Sequence, residues 1–168
     1  MSVEKRAFRI AEIATSNRED ALDILQDAMY KLVQKYAASD PKEWGPLFQT
    51  ILQSKINDWY RRNAVRNRFR VWFNFAGEDA QADPIQGLED EKAVNPERQI
   101  QSDRGIDELE LALGKLSLRQ QQAFILRMWE GMDVAQTARV MKCSAGSVKT
   151  HYSRAIHALR EQLGEHWS

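Results

Sequence analysis

Ser147, Lys149, Thr150, His151 and Arg154 bring hydroxyls, an imidazole and two cations into two helical turns near the end of the chain. Val148, Ala155, Ile156, Leu159 and Leu163 alternate with them at helical spacing, so the polar set shares the outer face of an amphipathic helix. Short donors and cations at the start of a helix suit contact with base edges and phosphates in a DNA major groove. Upstream, Asp133 and Gln136 have the spacing of a capping box, which predicts a short helix Val134–Met141. Ser144, Ala145 and Gly146 are then expected to form the turn of a helix-turn-helix, with the second helix starting at Ser147.

A second constellation suits a different nucleic-acid state. From Trp59 to Gly77 there is no acidic residue, while Arg61, Arg62, Arg66, Arg68 and Arg70 interleave with Trp59, Tyr60, Phe69, Trp72, Phe73 and Phe75. Guanidinium groups neutralise phosphates and rings stack on exposed bases, which fits single-stranded nucleic acid. A third set, Asp23, Gln26, Asp27 and Tyr30, is spaced three, four and seven apart and forms one polar patch on a helix.

Helical elements must position these groups. A short helix over 3–14 is followed by a second, capped at Ser16 or Asn17, with Glu19 and Asp20 in its acidic first turn, and running to about Tyr36. Its buried stripe would be Ala21, Ile24, Leu25, Ala28 and Leu32, flanked by Met29 and Tyr36. After a loop at 37–43, Asp40 caps, Pro41 takes the first helical position and Glu43 closes a box. Trp44, Leu47, Phe48, Ile51, Leu52, Ile56 and Trp59 then make a wide apolar face. From Ile106 the pattern is helical again through Leu109, Leu113 and Leu116. Ser117 and Gln120 predict another capping box, opening a helix that carries Ala123, Phe124, Ile125 and Met128 toward Gly131.

The formal charge is zero, but it is partitioned. Residues 1–74 carry 13 Lys and Arg against 9 acids, residues 75–110 carry 3 against 11, and residues 111–168 carry 8 against 4. Two mildly basic modules, each net +4, thus flank a stretch of net −8. Residues 76–106 contain Gly77, Pro84, Gly87, Pro96 and Gly105 among acids and read as a flexible linker. Its charge would repel DNA, and the opposite charges would permit the modules to fold together over it.

The same composition narrows the function classes. With 43% hydrophobic and 29% charged residues the chain reads as globular, with no stretch approaching a membrane span and a charged start in place of a signal core. Cys143 is the single cysteine, so no internal disulfide forms and a cytoplasmic location is expected. His157, Glu161 and His166 invite a metal reading, but His166 lies beyond Gly164 near the terminus and no further ligand has the right spacing. No Gly-rich phosphate loop or nucleophile motif is present. Neither catalysis nor a cofactor or metal is expected.

The run from Gln136 to His151 resembles the DNA-reading helix-turn-helix of sigma-70-type sigma factors, with its Ile-Ala pair, small turn residue and Gly-Thr-Val-Lys-Ser-Arg. Lys142 stands where that pattern usually has a helix-ending Gly. The run Ala112–Arg127 is similar to the start of sigma domain 4, with Ser117 in place of a usual Pro. Glu19–Asp27 is similar to the Glu-Asp-Ala-Glu-Asp-Leu-Val-Gln-Glu signature of the second conserved sigma region. Ile51–Arg62 resembles regions 2.3 and 2.4, matching at Asp58, Trp59, Arg61 and Arg62 and departing at Ser54.

The resemblance covers nearly the whole chain and implies an all-α protein of two small helical domains of the extracytoplasmic-function (ECF) group. Sigma domain 2 would occupy residues 1–75, the acidic linker 76–106, and sigma domain 4 residues 107–168. It further implies that Asp23, Gln26, Asp27 and Tyr30 bind core RNA polymerase. Trp59, Arg61, Arg62 and Arg66, with the loop at 37–43, would hold the melted −10 element. Ser147, Lys149, Thr150, His151 and Arg154 would read the −35 element. Core polymerase and promoter DNA are the implied partners, and an anti-sigma factor is a common third. Residues 1–15 are shorter than the family's usual first helix. That departure keeps open a decoy that binds polymerase without promoter activity. The helix-turn-helix alone would also suit a free-standing DNA-binding regulator, although such regulators usually dimerise on paired half-sites.

Overall fold

The computed structural model describes residues 3–74 and 104–164, and the side chains of residues 3–66 and 105–164. The expected linker lies almost wholly outside the described residues. So do the side chains of Arg68, Phe69, Arg70, Trp72 and Phe73, together with Phe75 and His166.

Seven α-helices make up the described chain: α1 Val3–Thr15, α2 Arg18–Tyr36, α3 Trp44–Asn74, α4 Arg104–Gly114, α5 Leu118–Phe124, α6 Val134–Met141 and α7 Ala145–Leu163. No strand occurs among the described residues. Asn17 Oδ1 starts α2 by accepting the amides of Glu19 and Asp20 at 2.9 and 3.1 Å. Ala21, Ile24, Leu25, Ala28 and Leu32 are buried as expected, whereas Met29 is 40% exposed, because its position turns past the edge of the stripe. In α1, Ala7, Ile10, Ala11, Ile13 and Ala14 are buried. Small residues at 7, 11 and 14 let helices approach closely.

Three local readings need correction. Asp40 caps a 3-10 turn, Pro41–Glu43, accepting the Lys42 amide at 2.9 Å, so the expected box is replaced by a tighter turn before α3 begins at Trp44. Ser117 occupies the N-cap of α5 but its hydroxyl makes no capping bond; its φ of −60° is the value a proline would hold, and backbone bonding of the Gln121 amide to the Ser117 carbonyl starts the helix. Ser144 alone caps α7, so Ala145 and Gly146 belong to its first turn and the helix starts two residues earlier than expected.

Helix α5 runs into one π-helical turn, Ile125–Trp129. The wider turn rotates successive side chains differently from an α-helix. Residues Gln121 to Leu126 are all buried in succession, and Met128 is turned outward at 54% exposure. Gly131, at φ +65°, ends the segment.

One apolar cluster joins the two groups of helices, from Ile10, Ile24 and Leu52 to Leu113, Phe124 and Leu159. A smaller cluster, Ala123, Leu126, Met132, Val140, Met141 and Val148, is the private core of α5, α6 and α7. Among the described residues no helix is long and apolar enough to cross a membrane.

Candidate nucleic-acid interface

The helix-turn-helix is built by two caps and one strained residue. Asp133 and Gln136 form the predicted capping box reciprocally: the Gln136 amide donates to Asp133 Oδ1 at 2.7 Å and the Asp133 amide to Gln136 Oε1 at 2.9 Å. At the other end of α6, Lys142 takes the left-handed conformation, φ 53° and ψ 49°. The Cys143 amide bonds to the Ala138 carbonyl at 3.1 Å, and Arg119 Nη1 reaches across from α5 to the Met141 carbonyl at 2.9 Å. These bonds satisfy carbonyls that a helix end otherwise leaves open. The Ser147 amide then donates to Ser144 Oγ at 3.0 Å and starts α7.

Helix α7 is seated by Val148, Ala155 and Leu159, all fully buried, and by Tyr152, whose ring stacks near Phe124 with centroids 6.4 Å apart. The Arg127 guanidinium lies 5.8 Å from the same ring. On the outward side Lys149, Thr150 and Arg154 are exposed, and Ser147 and His151 are half-buried. The five expected DNA-reading residues are therefore together on the first turns of α7. Two hydroxyls are engaged locally: Ser147 Oγ lies 2.9 Å from Ser144 Oγ, and Thr150 donates to the Gly146 carbonyl at 3.1 Å.

Electrostatics distinguishes the titratable residues here. Burial, then the positive charges of Arg119 and Arg154, lower the His151 pKa from its ordinary value, so the imidazole is neutral near pH 7. Burial pushes the Cys143 thiol up, only partly opposed by Arg119, which keeps it protonated. His157 pairs with Glu161 at 3.4 Å on the exposed side of α7, and no group of three or more metal-ligating residues occurs among the described residues.

On the other helix group, Asp23, Gln26, Asp27 and Tyr30 are all exposed along α2. Asp20, Asp23, Gln26 and Asp27 form one wall of a polar groove of about 310 Å³, and Lys55, Trp59, Arg62, Asn63 and Arg66 of α3 form the other. Lys55 Nζ bridges the walls to Asp27 Oδ2 at 3.1 Å. The sequence did not foresee that these two residue sets share a groove. Arg61 stands outside it beside Asp58, 4.0 Å away, and Tyr30 faces a separate apolar depression with Leu22, Met29 and Val33. Tyr60 is corrected from a base-stacking candidate to a core residue: it is 4% exposed and its hydroxyl donates to the Ala14 carbonyl at 2.8 Å.

The family model for sigma-70 region 4 matches residues 106–159. The RNA polymerase sigma-E factor of Streptomyces avermitilis is 31% identical over 144 residues, covering 86% of this chain and 71% of that protein. The chain belongs to the sigma-70 family. It is similar in the same way to two ECF RNA polymerase sigma factors, SigX of Bacillus subtilis, 26% identical over 84% of this chain and 69% of that one, and SigM of Mycobacterium tuberculosis, 29% identical over 95% and 72%. Among solved structures it resembles the sigma factor RpoE of Bartonella quintana, determined in complex with the anti-sigma factor NepR, with a TM-score of 0.58, 28% identity and coverage of 94% of this chain and 89% of that one. This sigma factor is thus a transcription initiation factor of ECF type.

Proposed function

We propose a division of labour among the surfaces described above. In this reading residues 1–75 form a polymerase- and −10-binding domain, 76–106 an acidic linker, and 107–168 a −35-binding domain. Helix α2 docks on core RNA polymerase through Asp23, Gln26, Asp27 and Tyr30. Trp59, Arg61, Arg62 and Arg66 of α3, with the loop at 37–43, hold the melted −10 strand. Ser147, Lys149, Thr150, His151 and Arg154 of α7 read the −35 element in duplex form. The factor works by binding alone, in the cytoplasm, where polymerase and promoter are found. As in the complex solved for the Bartonella relative, an anti-sigma factor is a fitting third partner.

The observation that carries this reading is the outward face of α7: Lys149, Thr150 and Arg154 exposed on the turns after a fully capped helix-turn-helix. A cation there meets phosphates or a guanine edge when the helix enters a major groove. Support on the other domain comes from the charged groove between α2 and α3, which a free-standing duplex reader would not need.

Two substitutions test the division. Arg154→Ala is expected to weaken promoter binding by about 1–3 kcal/mol and to leave core polymerase association unchanged. Asp27→Arg is expected to do the reverse, with the thermal melt confirming that the loss of the Lys55 pair has not unfolded the domain. Equal loss of both activities in either variant would refute the assignment.

A further inference from the structure

Helix α2 carries an apolar row that none of the described residues covers. Leu22, Met29 and Val33, seven and four residues apart, share one face of the helix, and Tyr30 stands beside them. They are 46%, 40%, 57% and 69% exposed in that order, which makes them four of the nine large apolar residues exposed among the described residues. Single exposed apolar residues are ordinary, but a group of them on one helix face marks a contact surface. Together with Leu25 they line a depression of about 570 Å³, with Gln26 and Glu4 at its rim.

The charges along this row are sorted by sign. Glu19 and Asp23, both exposed and four residues apart, flank it on one edge in the N-terminal half; Lys35, also exposed, flanks it on the other edge in the last turn. Arg18, the cation of the first turn, is held over the Phe8 ring at 5.3 Å, on the α1 side.

This pattern is complementary to itself. A two-fold axis crossing the row at its midpoint, between Asp27 and Ala28, exchanges the ends and the edges of the helix together. It sets Leu22 of one copy against Val33 of the other, Tyr30 against Leu25, and the Gln26 stem against Met29. Glu19 then lies opposite Lys35 of the second copy, and symmetry makes that pair twice. Parallel packing would instead set Glu19 against Glu19 and Lys35 against Lys35. The antiparallel arrangement also brings opposite ends of the two helix dipoles together. With a formal charge of zero, two chains have no net repulsion to overcome. The row from Leu22 to Val33 is about 17 Å long. A contact of that length lies at the small end of specific interfaces, below about 1,200 Å² in total, where association is weak and reversible.

We infer that α2 pairs with α2 of a second copy about this axis, forming a reversible antiparallel homodimer that hides Gln26 and Tyr30 until polymerase takes up the chain. The masking of polymerase contacts rests on the proposed assignment of α2 to polymerase docking; the dimer itself does not.

Sedimentation velocity of the full chain from about 1 to about 200 μM, the range in which a small interface assembles, is expected to shift from monomer to dimer. Val33→Glu, at an exposed position, should keep its helical circular dichroism and stay monomeric throughout. Lys35→Glu sets like charges against Glu19 and should weaken the dimer by about tenfold or more. Glu19→Lys should do the same, and the two together should restore the dimer, which neither a damaged fold nor a contact elsewhere on the surface would do. With core polymerase added, each polymerase should take one chain and the dimer should disappear in proportion. A chain monomeric at every concentration overturns the dimer, and weaker polymerase binding by Val33→Glu would then give the face to polymerase alone. A dimer that survives both Val33→Glu and Lys35→Glu overturns the α2 contact. Two chains held per polymerase overturn the masking. Polymerase binding left intact by Asp27→Arg would strike the assignment of α2, and the masking with it, while leaving the dimer in place.

Discussion

Lys142 offers the sharpest link between one residue's backbone and the geometry of promoter reading. It ends α6 at φ 53°, ψ 49°, a conformation that places Cβ against the following carbonyl. For a residue other than Gly that costs about 1–2 kcal/mol, while Gly sacrifices about 0.5–1 kcal/mol in extra chain entropy on folding. Lys142 is exposed, and its amide bonds back to the Arg139 carbonyl at 3.3 Å through backbone alone. Lys142→Gly should therefore keep every hydrogen bond of the turn and relieve the strain, with a net gain of about 0.5–1 kcal/mol. In a chain of this size that raises Tm by about 1–4 °C. Lys142→Ala is the control, since it removes the same charge and stem but retains the Cβ. Calorimetry or urea unfolding of the pair reads the difference directly. If Lys142→Gly is no more stable than Lys142→Ala, the strain assigned to this turn is absent and the reasoning fails.

Two other positions give independent checks. Tyr60→Phe removes the hydroxyl that satisfies the buried Ala14 carbonyl and should cost about 1–3 kcal/mol of stability; a neutral result by urea unfolding would mean that the carbonyl finds another donor. His151 should couple pH to both stability and DNA binding. Its pKa is lowered in the folded chain, so the unfolded chain takes up the proton first as pH falls. The stability it contributes is present above its unfolded value near 6.5 and declines as pH falls through the lower folded value. On DNA a nearby phosphate favours the charged imidazole, so promoter affinity should strengthen on acidification from about pH 7.5 to about 5.5. His151→Gln should flatten both profiles, and an unchanged slope in binding would remove His151 from the DNA-reading set.

What could be read from the sequence was what is decided within a few residues. The capping box of Asp133 and Gln136 and the cap by Asn17 depend on side chains reaching amides two or three positions away, and both are present. The buried stripe of α2 follows from helical period alone. Ser117 shows the limit of the same logic: the residue types of a capping box were in place, but the helix starts there by backbone bonding without the hydroxyl. The π turn after Phe124 was also illegible, because a local change of period arises from packing a run of buried residues and leaves no spacing of its own. Tyr60 stands among arginines in the sequence, but its hydroxyl meets the Ala14 carbonyl of α1, 46 residues away. The same distance problem hid the contact between the two helix groups. Gln49, Gln53 and Asn57 look like a solvated edge of α3 until Gln122, 69 residues beyond Gln53, is brought against them.

The shared groove between α2 and α3 bears on how polymerase docking and strand capture are linked. Asp27 is a proposed polymerase contact, yet in the free chain it is paired at 3.1 Å with Lys55 of the helix that carries Trp59 and Arg62. Asp27 is largely exposed, so the pair is screened and contributes little to folding. A polymerase cation that takes over Asp27 would therefore release Lys55 at small cost and leave an additional positive charge facing the groove. Docking and retention of the anionic strand would then reinforce one another without any movement of the helices, through exchange of a single ion-pair partner. Lys55→Met removes the exchangeable partner. It should leave polymerase binding unchanged or slightly tighter, while weakening capture of a single-stranded −10 oligonucleotide by the polymerase-bound factor more than by the free chain. Equal weakening in the two states would show that Lys55 contributes a constant charge and that the exchange does not operate.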